Sequence, residues 1–215
     1  YWITERIKMP NHKNRYMASA SLKYDFADWI NLTGRVKMDR NNERRERMYD
    51  AGTNTLFASD YGYYSKSNVE SQQLYGELLL NVNKYFVDNT YNLTVNAGAN
   101  FENNDYQSDY FGGKLKSTAN LFTFGNIDTT GENLANQYGY HMKKRAIFGS
   151  AQLGYKSRAY LDATLRNDWS STFKGTDTSS FLYGSVGLSG IITDIFPISS
   201  DIMPYMKARI SYSEV

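Results

Sequence analysis

The chain has 215 residues, of which 41% are hydrophobic and 15% aromatic, with a formal net charge of +2 and no cysteine. That charge is too small for a nucleic-acid binder, no basic stripe interleaved with aromatics is present, and disulfides, thiolate catalysis and cysteine-ligated zinc are all ruled out. No run approaches the roughly 18 apolar residues of a transmembrane helix, so any membrane crossing must be made by strands.

A mean hydropathy of −0.59 ordinarily points to a soluble protein, but it does not exclude a membrane barrel. Such a barrel shows lipid only every second residue, and its lumen and loops are polar. The 19 tyrosines fit the aromatic girdles of a barrel and equally the cross-strand pairs of a soluble sheet. No signal peptide is read at Tyr1, where the chain starts in an extended aromatic run, as expected of a mature or truncated chain, and both termini read as cut ends.

Residues 1–15, with Pro10 and His12, form an uneven lead-in, expected to be the end of a connection. Strict alternation starts at Tyr16. Tyr16, Ala18, Ala20, Leu22, Tyr24 and Phe26 share one face, and Met17, Ser19, Ser21, Lys23 and Asp25 share the other, because successive side chains of a strand point to opposite sides. A tight turn at Ala27 and Asp28 leads to a second strand, with Ile30, Leu32, Gly34, Val36 and Met38 against Asn31, Thr33, Arg35, Lys37 and Asp39. Residues 41–68 are polar and Gly/Ser/Asn/Tyr-rich, and predict a long loop.

A third strand near 72–83 sets Leu74, Gly76, Leu78, Leu80 and Val82 opposite Tyr75, Glu77, Leu79, Asn81 and Asn83. After a short connection at 84–90, the fourth strand separates Tyr91, Leu93, Val95, Ala97, Ala99 and Phe101 from Asn92, Thr94, Asn96, Gly98, Asn100 and Glu102. Residues 105–142 exceed an ordinary hairpin loop and predict a functional or irregular connection. The hairpin of residues 144–173 follows as the clearest unit in the chain. Its arms place Ile147, Gly149, Ala151, Leu153 and Tyr155, then Leu161, Ala163 and Leu165, on one face, and Asp162, Thr164, Arg166 and Asp168 on the other. A connection near 174–179 leads to a seventh strand carrying Leu182, Val186, Leu188 and Ile192. A further connection through 194–202, containing Pro197, leads to a last strand with Met206, Ala208, Ile210 and Tyr212 against Lys207, Arg209 and Ser211.

Each apolar stripe runs for about 9 to 11 residues, the length of a tilted strand crossing a bilayer. Connections are expected to be short after the first, third, fifth and seventh strands and long after the second, fourth and sixth, as in a barrel with short periplasmic turns and long extracellular loops. The fold class expected is therefore all-β, an antiparallel transmembrane β-barrel contributing about eight strands. Any half-buried antiparallel sheet also alternates, so a soluble or surface β-domain that binds glycans through its Tyr-rich loops stays open as the alternative.

Catalytic chemistry is poorly supplied. The only histidines, His12 and His141, fall in or beside predicted connections, and neither a Gly-x-Ser-x-Gly elbow nor a His-Glu-x-x-His pair is present. An enzyme is not expected, and an outer-membrane barrel enzyme is the remaining alternative. No metal-ligand spacing stands out, and no cofactor is expected. The run Glu43-Arg44-Arg45-Glu46-Arg47 reads as a solvated strand end, or as a contact for lipopolysaccharide or a partner. Candidate substrate contacts are Tyr61, Tyr63, Tyr64, Tyr106, Tyr110 and Phe111 in or beside the long loops, where rings stack on sugars or pack on peptides, or else pack a girdle or lid. Asp162, Arg166 and Asp168 on the polar face serve either as a salt-bridged ladder that fixes register or as lumen contacts.

The blocks Gly154-Tyr155-Lys156-Ser157-Arg158 and Leu161-Asp162-Ala163-Thr164-Leu165-Arg166-Asn167-Asp168-Trp169-Ser170-Ser171-Thr172-Phe173 resemble the barrel hairpin of SusC/RagA-like TonB-dependent outer-membrane transporters. Phe181-Leu182-Tyr183-Gly184-Ser185-Val186-Gly187-Leu188-Ser189 and Met206-Lys207-Ala208-Arg209-Ile210-Ser211-Tyr212-Ser213-Glu214-Val215 are similar to two later strands of that family, and Leu22-Lys23-Tyr24-Asp25-Phe26-Ala27-Asp28-Trp29 to an earlier one. Trp169 stands where many members carry Gly, and Gly184 where Pro is common, which by this resemblance implies a divergent or subgroup member. The resemblance implies a 22-stranded barrel of which residues 1–215 form roughly a third, without plug or signal sequence, in the outer membrane of a Gram-negative, Bacteroidetes-like cell. It further implies import of oligosaccharides or peptides, a SusD-like lipoprotein partner, contact with outer-membrane lipid, and drive from the TonB complex through a plug.

Overall fold

The computed structural model describes residues 2–131, 134–176, 179–196 and 204–214, the side chains of residues 2 and 3 excepted. A short helix, α1 (Trp2–Arg6), precedes β1 (Ile7–Lys8), β2 (Asn11–Ala27), β3 (Ile30–Tyr49), β4 (Tyr63–Phe86), β5 (Tyr91–Lys114), β6 (Ala135–Tyr155), β7 (Ala159–Ser170) and β8 (Ser180–Ile191). A one-turn helix, α2 (Ile192–Ile195), and β9 (Lys207–Glu214) complete the chain. The strands form one sheet of order β1-β3-β4-β5-β6-β7-β8-β9, with β2 also paired to β3. From β2 onward each strand neighbours the next in sequence, and the described registers are antiparallel. This is the all-β, antiparallel architecture expected.

Register explains why the two faces differ. Residues directly opposite across an antiparallel pair share a face, and Leu153 stands opposite Leu161, Leu161 opposite Leu188, and Leu188 opposite Ile210. One position along, Gln152, Asp162, Gly187 and Ser211 form the matching row. A one-residue slip would exchange the rows and place Asp162 among leucines. The short turn between β6 and β7 fixes that register with Lys156 and Ser157 at φ 49° and 55°.

The chain divides into two compact units, residues 1–18, 38–73 and 104–141, and residues 19–37, 74–103 and 142–215. In the second, the apolar face is left open: Leu22, Leu182 and Ile210 are 77%, 65% and 72% exposed. Leu93 and Val95 are only half-buried. No dry interior is built on that side among the described residues.

The first unit does have a core. Tyr64, Leu115 and Ile127 are buried together, with Met48, Phe111, Phe122 and Leu134 packed against them. An isolated bridge joins Leu115 to Ile127. Buried Asn126 organises the connection between β5 and β6. Its Oδ1 accepts from the Ser117 hydroxyl (2.8 Å) and the Thr118 amide (3.2 Å), and its Nδ2 donates to the carbonyls of Thr118 (2.7 Å) and Leu121 (3.0 Å).

Several expectations are corrected. Residues 41–68 and 105–142 are not loops throughout, since β3 continues to Tyr49, β4 begins at Tyr63, β5 continues to Lys114 and β6 begins at Ala135. Backbone pairing persists past the apolar stripe because the neighbouring strand still offers partners. With polar side chains on both faces, the period-two signal disappears. The lead-in is likewise structured: β1 pairs Ile7 with Tyr49, and β2 starts at Asn11. The connection after the seventh expected strand, thought short, occupies residues 192–206, with α2 at its start. Pro197 lies outside the described residues.

Candidate functional site

In the second unit, the polar face carries a connected set of side chains on β6, β7 and β8. Arg166 donates through Nε to both carboxylate oxygens of Asp168 (3.0 and 3.1 Å), and the Tyr183 hydroxyl donates to the same carboxylate. The Arg166 guanidinium lies 5.3 Å from the centre of the Phe148 ring. Phe148 is directly opposite Arg166 on β6, and Tyr183 directly opposite it on β8, so register sets a ring face beside the cation on one side and a hydroxyl for its counter-ion Asp168 on the other. Further along, Gln152 donates to Asp162 (2.5 Å) and Thr164 shares a hydrogen bond with Ser185 (2.7 Å). Most cross-strand ties here are therefore neutral or singly charged hydrogen bonds. The expected ladder of salt bridges reduces to Arg166 and Asp168, two positions apart on one strand.

Beside this set lies a cleft of about 570 Å³ lined by Tyr75, Asn100, Glu102, Lys144, Arg166 and Asp168. Tyr75 donates to Glu77 (2.6 Å), which Arg35 approaches at 3.4 Å. Met142, Trp169, Phe173 and Phe181 also line the cleft, so charged groups and apolar surface meet in it, an arrangement suited to a polar solute with apolar patches.

The first unit carries its own cleft of about 480 Å³, with Arg47, Tyr49, Tyr63, Tyr110, Lys114 and Asp128 among its lining residues. Tyr63 and Tyr110 share a hydrogen bond of 2.6 Å between hydroxyls, and Tyr49 stacks on Tyr63 with ring centres 5.2 Å apart. Burial, then the bond to Tyr63, pushes the Tyr110 phenol up to about 12. On β3 the Glu43 carboxyl is held down at about 2 by hydrogen bonds from Arg45 and Asn11. Tyr106 stacks on Tyr140 at 5.3 Å and meets Tyr138 edge-on.

The tyrosines chosen from sequence therefore separate. Tyr63 and Tyr110 line one cleft, and Tyr106 belongs to a ring cluster. Tyr61 is exposed and accepts the Asn120 amide through its carbonyl. Tyr64 is a core residue, and Phe111 packs edge-on to Phe124 beside it. Sequence reasoning missed Phe148, Tyr183 and Tyr49. The signal that could have found the first two is their register opposite Arg166. His12 and His141 lie within β2 and β6, and His141 pairs with Asp105 through Nδ1.

Comparisons with known proteins bear on the fold. No family model and no curated protein sequence matches the chain. Solved structures do: the RagAB peptide transporter aligns over 99% of this chain with a TM-score of 0.88 at 15% identity. Its fold is that of a segment of the RagAB peptide transporter. RagAB peptide importer structures in the open-open and closed-closed states align with TM-scores of 0.87 and 0.86, each at 16% identity, over 99% and 97% of this chain. In every case the chain spans 23% of the length of the matched chain. The resemblance drawn from the sequence blocks is thus met by backbone geometry, although the sequences have diverged almost completely.

Proposed function

We propose that residues 1–215 form part of the wall of an outer-membrane importer, with the apolar face of the second unit against lipid and its polar face along a water-filled passage. The observation that carries this reading is the uncovered apolar face, with Leu22, Leu182 and Ile210 mostly exposed, backed by a hydrogen-bonded polar face one residue away. Burying apolar area is the main favourable term in folding, so a sheet face of exposed aliphatic side chains needs an apolar phase outside the protein. Contiguous apolar surface of this kind marks an interaction or membrane site.

The likeness to RagAB supports import as the activity and peptides as the first substrate class to test, with oligosaccharides second. The same reading takes in a SusD-like lipoprotein partner and energy from TonB through a plug, as the family resemblance implies. On this reading the ring-and-carboxylate wall around Arg166 guides solute, and the tyrosine cleft lies outside the membrane-spanning segments. The experiment is uptake of labelled peptides, and of oligosaccharides in parallel, by cells carrying or lacking the full-length protein. Loss of peptide uptake on deletion supports the reading. Purification of the protein as a monodisperse, detergent-free monomer favours the glycan-binding β-domain instead.

A further inference from the structure

At the end of the apolar stripe away from the short turns, the second unit has a recess of about 780 Å³. Ala99 and Phe101 of β5, Ile147 of β6 and Trp169 of β7 supply its apolar lining, and Lys143 and Arg145 of β6 stand at one end of it. Lys143, Arg145 and Ile147 are spaced two apart and share a face of β6. Arg145 is directly opposite Trp169. Neither cation has a salt-bridge partner among the described residues, whereas Arg35, Arg40 and Arg166 all do. The Phe101 ring forms one wall by lying over Gly76, where a Cβ would come within 2.2 Å of it. The same ring walls a second apolar recess of about 530 Å³ with Leu22, Val36 and Leu78.

Position decides what such a recess can hold. From Tyr155 at the turn end to Arg145 is ten positions of strand, about 33 Å at the usual rise, or about 23 Å of depth at a 45° tilt. That matches the roughly 25 Å apolar band of an outer-membrane barrel. Trp169 and the two cations then stand at the interface on the side of the long connections, where an indole sits by preference and a lipid presents its charged headgroup.

We propose that this recess binds an anionic, multi-chain lipid of the outer leaflet, its acyl chains lying along Ile147 and Phe101 and its phosphate held by Lys143 and Arg145. The inference rests on the membrane reading above. Its distinguishing features are charge and shape together: an apolar trough with two uncompensated cations fits a phosphorylated amphiphile, and a neutral lipid would leave the cations without a partner.

The test uses the full-length protein in neutral detergent and measures retention of bis-phosphorylated and dephosphorylated lipid A by native mass spectrometry. A cation near an anionic lipid surface contributes about fivefold in affinity, so the double variant Lys143→Gln/Arg145→Gln is expected to bind the phosphorylated lipid about thirtyfold more weakly. The dephosphorylated lipid should bind both proteins alike, and the charge-keeping swap Lys143→Arg/Arg145→Lys should restore binding. Equal retention of the phosphorylated lipid by the native protein and the double variant overturns the site while leaving the membrane reading intact. A protein that needs no detergent overturns both.

Discussion

Replacing Asn126 with alanine tests whether the connection between β5 and β6 is a built element or a slack loop. The side chain holds five groups of its own connection, the Ser117 hydroxyl, the Ser117 and Thr118 amides and the carbonyls of Thr118 and Leu121. It does so from a position only 4% exposed. Removing it leaves two backbone donors and two carbonyls without their partner. Ser117, Thr118 and Leu121 are themselves exposed, so each of the four backbone groups recovers water and costs about 0.5 to 0.75 kcal/mol, the low end for a lost hydrogen bond, giving about 2 to 3 kcal/mol in all. Because the connection folds on its own small core of Leu115 and Ile127, the loss should appear as local opening rather than global unfolding. Hydrogen exchange at the amides of residues 116–128 should speed up by roughly 30- to 150-fold, since about 1.4 kcal/mol is tenfold, with exchange along β7 and β8 unchanged. Asn126→Asp should behave almost as badly, because it sets a carboxylate oxygen against two carbonyls. Unchanged protection at Thr118 and Leu121 in Asn126→Ala refutes the reasoning.

Three further outcomes follow from the same geometry. Gly98→Ala puts a Cβ 2.7 Å from the Phe148 ring and 2.9 Å from the Leu78 carbonyl, so it should cost about 1 to 3 kcal/mol in a denaturant titration, with partial recovery in Gly98→Ala/Phe148→Leu. Tyr110 has its phenol raised above the ordinary value near 10 to about 12, so the stability it lends is complete below pH 10 and lost as pH rises from 10 to 12. Labelled-tyrosine NMR should find its midpoint near the upper figure, and lower in Tyr63→Phe. Glu43 is depressed to about 2, so its contribution holds above the ordinary carboxyl range and fades as pH falls towards 2. Arg45→Gln should return its titration towards the normal range.

The extent to which the fold could be read in the sequence follows from where the two faces differ in polarity. Between Tyr91 and Phe101 every odd residue is apolar, and β5 begins at Tyr91 as expected. Beyond Phe101 the same strand runs on to Lys114 through Asn103, Asp105 and Gln107, which carry no such contrast, and periodicity alone could not extend it. Arg166 and Asp168 can be singled out as neighbours on one face because a charged pair on an alternating strand stands out. Tyr183 and Phe148 were not, because their relation to Arg166 depends on which strands pair and in what register. Tyr63 and Tyr64 are neighbours on β4 and so point to opposite faces, but which of the two is covered depends on the fold of residues 115–127, which makes Tyr64 core and leaves Tyr63 in the cleft. Asn126 gave no sign at all, since a buried amide that ties a connection together looks in sequence like any polar loop residue.

Ala163 and Thr164 are adjacent on β7, opposite Val186 and Ser185, and both are exposed. If the apolar face meets lipid, Ala163→Arg places a cation in the middle of the hydrocarbon and should lower the stability of the protein refolded in phospholipid bilayers by about 2 to 4 kcal/mol. Thr164→Arg, facing water, should lose only its hydroxyl contact with Ser185, less than about 1 kcal/mol. Equal losses for the two, or a larger loss for Thr164→Arg, would contradict the assignment of lipid and water to the two faces of the sheet.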